Sequence, residues 1–180
     1  IKNKKLELNL SMTENTNSKF PSEADVVIVG VGGIVGSMIA YWLSELGQKN
    51  IVGLEKSSVI PSDIASTAHA SDFVYNTTHD KLGCWTTAYS RKFYEDNGFF
   101  LKKGGLEICR KGDDARWEEL KRKVGSGKAF GTNVRLISAS EAKEKFPLLD
   151  EESLMGAMWD PDAGLVIPRS QDVVSFAVES

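Results

Sequence analysis

Residues 26–47 read VVIVGVGGIVGSMIAYWLSELG. Four glycines, Gly30, Gly32, Gly33 and Gly36, fall in the first eleven positions, and the first polar side chain is Ser37. Asp25 to Val29 is a short β-branched run, the pattern of a buried parallel strand. Beyond the glycines, apolar residues recur at helical spacing at Val35, Met38, Ile39, Trp42, Leu43 and Leu46, and Gly47 stands where a C-terminal cap is needed. Asn50 to Leu54 gives a second short strand that ends at Glu55. A strand, a glycine-rich turn, a helix and a strand in about thirty residues predict a β-α-β unit of a nucleotide-binding fold.

In such a unit the first glycine permits a tight exit from the strand, and the second lets the backbone approach a pyrophosphate. The third allows helix and strand to touch, while the anion rests on free amides at the positive helix end. Gly30, Gly32 and Gly36 give G-x-G-x-x-x-G, one residue longer than the usual fingerprint, with Gly33 in addition. Either the loop bulges by one residue, which Gly33 makes tolerable, or the register is shifted and Val31 occupies a place where glycine is expected. Glu55 follows Gly36 by 19 residues, at the strand end where an acid accepts hydrogen bonds from the ribose hydroxyls of an adenosine. Ile34, Val35 and Lys56 complete the predicted cofactor-binding set around the turn. These residues predict a dinucleotide site and leave FAD and NAD unseparated.

Composition bounds the function. The 180 residues are enough for one domain with a real core, and 41% hydrophobic with 26% charged residues describe a soluble globular chain. A net charge of -3 argues against nucleic acid or an anionic membrane as partner. No apolar run approaches the roughly 20 residues that span a bilayer. Cys84 and Cys109 lack metal-ligand spacing and form no disulfide framework, so no metal is expected and a reducing, cytoplasmic setting is predicted. Residue 1 is Ile, and Met12 is the first plausible initiator, so residues 1–23 are expected to be a flexible leader that is not native before Met12. The chain stops at FAVES inside an amphipathic helix that starts near Ser170, and residues 24–180 are expected to be the N-terminal part of a larger domain, poorly soluble alone.

The middle of the chain is less regular. Pro61 to Thr78 reads as a loop with brief ordered pieces. Leu82, Trp85, Tyr89 and Phe93 mark a helix face, and Trp117, Leu120 and Val124 mark another. Gly104 to Cys109 predicts a strand entered through a glycine turn. Ser138 and Glu141 have capping-box spacing before EAKEKF, Pro147 ends that helix, and Asp160 to Gly164 is turn chemistry. Trp42, Trp85 and Trp117 are expected in the core, Cys84 and Cys109 as buried thiols, and Lys121 to Lys123 as a solvated helix face. Arg169 has the chemistry to bind a carboxylate bidentately, yet its place beside Pro168 suits a structural role better.

Three further stretches separate the cofactors. STAHASDFVYNTT (Ser66 to Thr78), GGLEI (Gly104 to Ile108), and FPLLDEE with WDPDAGLVIPRS (Phe146 to Ser170) resemble, in order and spacing, the flavin domain of dimethylglycine oxidases and of dimethylglycine and sarcosine dehydrogenases. The resemblance runs from residue 25 to the end. It implies an α/β, FAD-binding, Rossmann-like fold of the D-amino-acid oxidase type, incomplete here, with the start of a substrate-side α+β region. It also implies that His69 matches the histidine that carries FAD covalently through the flavin 8α-methyl carbon, a role suited to an imidazole whose lone pair is free near neutral pH. Ser66 and Thr67 would donate to the cofactor's phosphates or ring edge; His79 lies outside the matching segment.

By the same resemblance the substrate is dimethylglycine, sarcosine or a similar N-methylated amino acid, oxidised at the N-methyl carbon, with tetrahydrofolate as a partner through a C-terminal region not present here. The substrate clamp and the proton acceptor lie downstream in the relatives, so no catalytic base is named. Two alternatives stand beside this reading: another flavoenzyme of the same fold, acting on a D-amino acid, proline or glycerol phosphate, or a non-catalytic nucleotide-binding fragment.

Overall fold

A computed structural model describes residues Pro21–Ser180. Most of the expected leader, including Met12, lies outside the described residues. The helices are α1 (Ile34–Glu45), α2 (Lys81–Asp96), α3 (Asp114–Ala129), α4 (Ala139–Lys145) and α5 (Ser170–Glu179). The strands are β1 (Val26–Val29), β2 (Ile51–Leu54), β3 (Phe73–Val74), β4 (Phe100–Lys102), β5 (Gly105–Arg110), β6 (Arg135–Ile137), β7 (Leu154–Asp160) and β8 (Gly164–Val166). They fall into two compact units, one made of the described residues up to Asp72 with Pro168–Ser180, the other of Phe73–Ile167.

In the first unit β1 and β2 pair in parallel, Val26 opposite Ile51 and Val29 opposite Leu54, so the chain crosses over through α1 as predicted. Ile28, Val31, Ala40 and Ile51 form the core, flanked by Val26, Leu43 and Ile60. Helix α1 ends in a Schellman arrangement: Gly47 takes φ +96°, its amide donates to the Ser44 carbonyl at 2.9 Å, and the Gln48 amide donates to the Leu43 carbonyl at 2.9 Å.

The buried face of α1 is not the one its apolar spacing suggests. Val35 and Leu46 are 71% and 83% exposed, and Ile39 and Trp42 also face out, so Trp42 is not a core residue. The inward face is Gly36, Ser37 and Ala40. A Cβ at Gly36 would lie against the Gly30 carbonyl, well inside van der Waals contact, so only small residues fit where α1 meets the end of β1. Helix α5 packs on α1 through Val173, Val174, Ala177 and Val178, with Tyr41 and Phe176 rings 5.9 Å apart.

Asp72 braces this unit. It is a non-glycine residue at φ +60°, and its Oδ1 accepts from the Ser170 amide at 2.9 Å and the Ser170 hydroxyl at 2.6 Å. Its Oδ2 faces Arg169 Nε at 3.4 Å, and the Arg169 guanidinium also donates to the Ala68 carbonyl at 3.4 Å. The start of α5 is thereby tied to the 3-10 turn Ser66–His69. Burial would raise the Asp72 carboxyl, but the Ser170 hydroxyl and amide, aided by Arg169, outweigh it and hold the group below the usual carboxylate range.

The second unit holds two antiparallel three-stranded sheets, ordered β3-β8-β4 and β5-β7-β6. Cys109, Leu120, Val124, Val134 and Met158 form one core cluster with Trp117 against it, and Ile137, Ala142, Leu154 and Ala157 form another. Gly104, at φ +78°, leads into β5, and the Ser138–Glu141 capping box opens α4.

Two expectations fail in this unit. Trp85 is 60% exposed and stacks on Tyr89 with centroids 5.5 Å apart. The inner face of α2 lies one stripe over, through Cys84, Thr87, Ala88, Arg91 and Tyr94, where Arg91 donates to the Asp162 carbonyl at 3.3 Å. Both stripes have helical period, so spacing alone cannot choose between them. Lys123 is buried rather than solvated: its ammonium pairs with Glu107 on β5 and sits 5.6 Å from the Tyr75 ring, while Lys121 and Arg122 are exposed. A lysine is buried when a carboxylate meets it, and Glu107 does so while also accepting from Arg116 at 2.9 Å.

Gly36→Ala is expected to cost about 3 kcal/mol, since the new methyl displaces α1 from β1. Gly125→Ala, in α3 with open space at its Cβ, is expected to stabilise by about 0.5–1 kcal/mol. Urea denaturation followed by far-UV circular dichroism checks both. Asp72→Asn keeps a side chain tolerant of the left-handed region but loses the charge. Because the folded-state pKa of Asp72 is depressed, its contribution is complete above the ordinary aspartate value of about 4 and is lost as pH falls through the lower folded value. Urea midpoints of wild type and Asp72→Asn should therefore differ most at neutral pH and converge on strong acidification.

Candidate dinucleotide site

The glycine turn joins β1 to α1. Gly30 takes φ +93°, and the Gly30 and Val31 amides both donate to the Leu54 carbonyl, at 2.7 and 3.3 Å, which fastens the turn to the end of β2. Gly33 is the N-cap of α1, and the first helical bond runs from the Ser37 amide to the Gly33 carbonyl at 3.1 Å. Gly33 and Gly36 are three residues apart, the usual interval between the second and third glycines. On that interval Val31 stands in the first glycine's place, and the extra residue is taken up where the successive amides of Gly30 and Val31 share the Leu54 carbonyl. Val31 is fully buried in the core of the unit, and the adjacent Gly30 supplies the positive φ.

Gly32 is needed for another reason. A Cβ there would stand 2.6 Å from Ser62 Cβ and 2.7 Å from Glu55 Oε2, and the Gly32 amide donates to that same Glu55 oxygen at 2.8 Å. The other oxygen, Oε1, accepts the Lys56 and Ser57 amides, each at 2.9 Å. The Ser57 amide, and after it the amides of Gly32 and Lys56 and the Ser62 side chain, hold the Glu55 carboxyl below its ordinary range against the opposing effect of partial burial. Glu55 is thus an ionised acceptor at neutral pH, suited to hydroxyl donors. Lys56 contributes its amide while its side chain is exposed.

The N-terminus of α1 has no side-chain cap from Gly33 and no acid in its first turn. The first-turn amides of Ile34, Val35 and Gly36 have no intrahelical partner, and the helix dipole makes this end positive. Thr67 stands over it, its Oγ1 accepting the Ile34 amide at 3.0 Å. That leaves the Thr67 hydroxyl proton free to donate to an anion at the same place. Ser66 and His69 belong to the same 3-10 turn; both are exposed, and among the described residues the His69 imidazole has no hydrogen-bond partner.

The predicted residues Gly30, Gly32, Gly33, Ile34, Val35, Gly36, Glu55, Lys56, Ser66, Thr67 and His69 therefore all lie in the first unit, and Thr67 and Glu55 touch the turn directly. His79 lies in the second unit, 3.4 Å from Glu119. Sequence reasoning missed two features: the Asp72–Ser170 brace, between residues 98 apart, and the buried hydroxyl of Ser62, one of several serines in SSVIPSDIAS. Among the described residues, no group of His, Cys, Asp or Glu is placed to hold a metal, and no helix is long and apolar enough to cross a membrane.

Human mitochondrial sarcosine dehydrogenase is 27% identical over 165 residues, covering 87% of this chain and 17% of that protein. The mouse mitochondrial pyruvate dehydrogenase phosphatase regulatory subunit is 30% identical over 163 residues, covering 87% of this chain and 18% of that protein. The chain thus spans less than a fifth of the length of these relatives. Among solved structures, L-proline dehydrogenase from P. horikoshii superposes with a TM-score of 0.76 at 27% identity, over 88% of this chain and 41% of that one. The model of the FAD dependent oxidoreductase family matches residues 25–171, and with that span, the glycine turn and Glu55 included, the chain belongs to this family.

Proposed function

We propose that the protein takes a hydride equivalent from the N-methyl carbon of sarcosine, dimethylglycine or a similar N-methylated amino acid, with FAD tethered covalently at His69. The observation that carries the cofactor half of this reading is the start of α1, which has no acid in its first turn, meets the Thr67 hydroxyl at the Ile34 amide and lies beside the ionised Glu55. The substrate half is supported by the likeness to sarcosine dehydrogenase and by the STAHA segment.

FAD, when bound, supplies the two-electron acceptor that side chains lack. The first-turn amides of α1 and the Thr67 hydroxyl hold its diphosphate, and Glu55 accepts from its adenosine ribose. His69 offers an exposed imidazole nitrogen two residues beyond Thr67, on a turn that Arg169 and Asp72 keep in place. The reading requires substrate-binding and proton-accepting groups outside these 180 residues, and a tetrahydrofolate site there if the one-carbon unit is to be passed on.

A second reading, nucleotide binding without turnover, is favoured by the likeness to a protein named as a regulatory subunit. The complete protein, mixed anaerobically with sarcosine and with dimethylglycine, distinguishes them: bleaching of the visible flavin band by either is expected, and flavin uptake without bleaching supports the second reading. Acid precipitation tests the tether. Wild type should leave a yellow, fluorescent pellet and His69→Ala a yellow supernatant; free FAD released from wild type would rule the tether out.

A further inference from the structure

The segment that carries His69 is short and is held at both ends. Ahead of it, Thr67 Oγ1 accepts the Ile34 amide at 3.0 Å, which ties the segment to the first residue of α1. Behind it, Asp72 Oδ1 accepts the Ser170 amide and hydroxyl at 2.9 and 2.6 Å, which ties it to the first residue of α5. Helices α1 and α5 pack on each other, so both ties end in one frame.

The rear tie is the unusual one. Asp72 is the single non-glycine residue at positive φ among the described residues, and a backbone of that kind persists only where its surroundings enforce it. The tie also supplies what α5 lacks: Arg169 at the N-cap makes no side-chain cap bond, and Asp72, 98 residues away in the chain, accepts the first amide instead. His69 lies between the ties, two residues after Thr67 and three before Asp72. Its imidazole is exposed and, among the described residues, has no hydrogen-bond partner, so its position comes from the backbone alone. Without the Asp72 carboxylate the turn would keep Thr67 and the 3.4 Å bond from Arg169 to the Ala68 carbonyl, and Arg169 would lose the carboxylate that faces it.

We propose that Asp72 is a positioning residue for His69, holding the imidazole where it joins the flavin. The assignment rests on the tether proposed above. In forming the tether, the imidazole nitrogen and the 8α-methyl carbon each lose one hydrogen as the N–C bond forms. The two electrons pass by way of the flavin to dioxygen, which leaves with both hydrogens as hydrogen peroxide. Asp72 exchanges nothing in this step; it fixes the geometry from which the step starts, and a displacement of about 1 Å in a reacting group costs on the order of a hundredfold in rate.

The test uses the complete protein, produced without flavin and mixed with saturating FAD in air. Acid precipitation at timed intervals gives the rate at which flavin becomes inextractable. FAD affinity is measured by calorimetry with His69→Ala added, so that binding stays reversible. Asp72→Gly removes the carboxylate while suiting the left-handed backbone. It is expected to slow tether formation at saturating FAD about tenfold or more and to change FAD affinity by no more than about threefold, because Thr67 keeps its bond to Ile34. Asp72→Asn retains an acceptor for both Ser170 groups and should recover most of the rate. Ser170→Ala, which leaves Asp72 only the amide, should slow the step to a lesser degree.

An unchanged rate at saturating FAD for Asp72→Gly overturns the assignment, and where that variant does not fold, an unchanged rate for Ser170→Ala does so. Slowing that disappears once FAD is raised well above the variant's own Kd also overturns it, since that marks weakened binding rather than a misplaced imidazole. FAD that remains extractable from the wild-type protein overturns the tether and this assignment with it; a tether that forms equally fast without the Asp72 carboxylate overturns the assignment alone.

Discussion

The first unit is organised by the missing side chain at Gly36. With hydrogen there, α1 rests on the Gly30 carbonyl, and everything nearby is scaled to that approach: Ser37 and Ala40 face inward, and Val31 fills the core beneath the turn. The same contact places the first-turn amides of α1 just beyond the end of β1, where the Leu54 carbonyl pins Gly30 and Val31. An anion site at a helix start is only as well defined as the helix is fixed, and here it is fixed by backbone contact rather than by adaptable side chains.

Polar groups then complete what the backbone sets out. Glu55 accepts three backbone amides, from Gly32, Lys56 and Ser57, so the carboxylate is charged and oriented before any ligand arrives. Thr67 reaches the helix start from a segment 33 residues away from Ile34 in the chain. That segment is held in turn by Asp72 and Arg169 at the start of α5. Asp72 tolerates a left-handed backbone, which costs a non-glycine residue roughly 1–2 kcal/mol, because in that conformation its carboxylate meets both Ser170 groups. Such preorganisation lowers the ordering cost of binding.

Much of this was legible in the sequence, and the parts that were not share a cause. The β-α-β unit, the Gly47 cap, the capping box at Ser138 and the strand after Gly104 are local patterns, fixed by periodicity or by a few neighbouring residues. What failed depended on partners distant in the chain. Val35, Ile39, Trp42 and Leu46 have helical spacing, but the close approach at Gly36 turns a different face inward. Trp85 and Tyr89 lost the inner face of α2 to Arg91, which meets the distant Asp162. Lys123 looked like part of a solvated KRK run until Glu107, on a strand, reached it. The glycine register stayed open because G-x-G counting ignores which glycine caps the helix, and Gly33 does.

A nucleotide cradle constrains the cofactor more tightly than the reaction. Binding an extended dinucleotide requires a helix start, an acceptor for the ribose and glycines that let the backbone come close; nothing in that set requires an imidazole. A relative named as a dehydrogenase and another named as a regulatory subunit each match 87% of this chain, at 27% and 30% identity. His69 differs in kind from the other site residues. It caps nothing, pairs with nothing among the described residues, and lies exposed at the end of a turn whose Thr67 bonds the start of α1. Two residues from the Thr67 hydroxyl, it is a side chain with no structural task, unlike the glycines, Glu55 and Thr67, whose contacts hold the turn together.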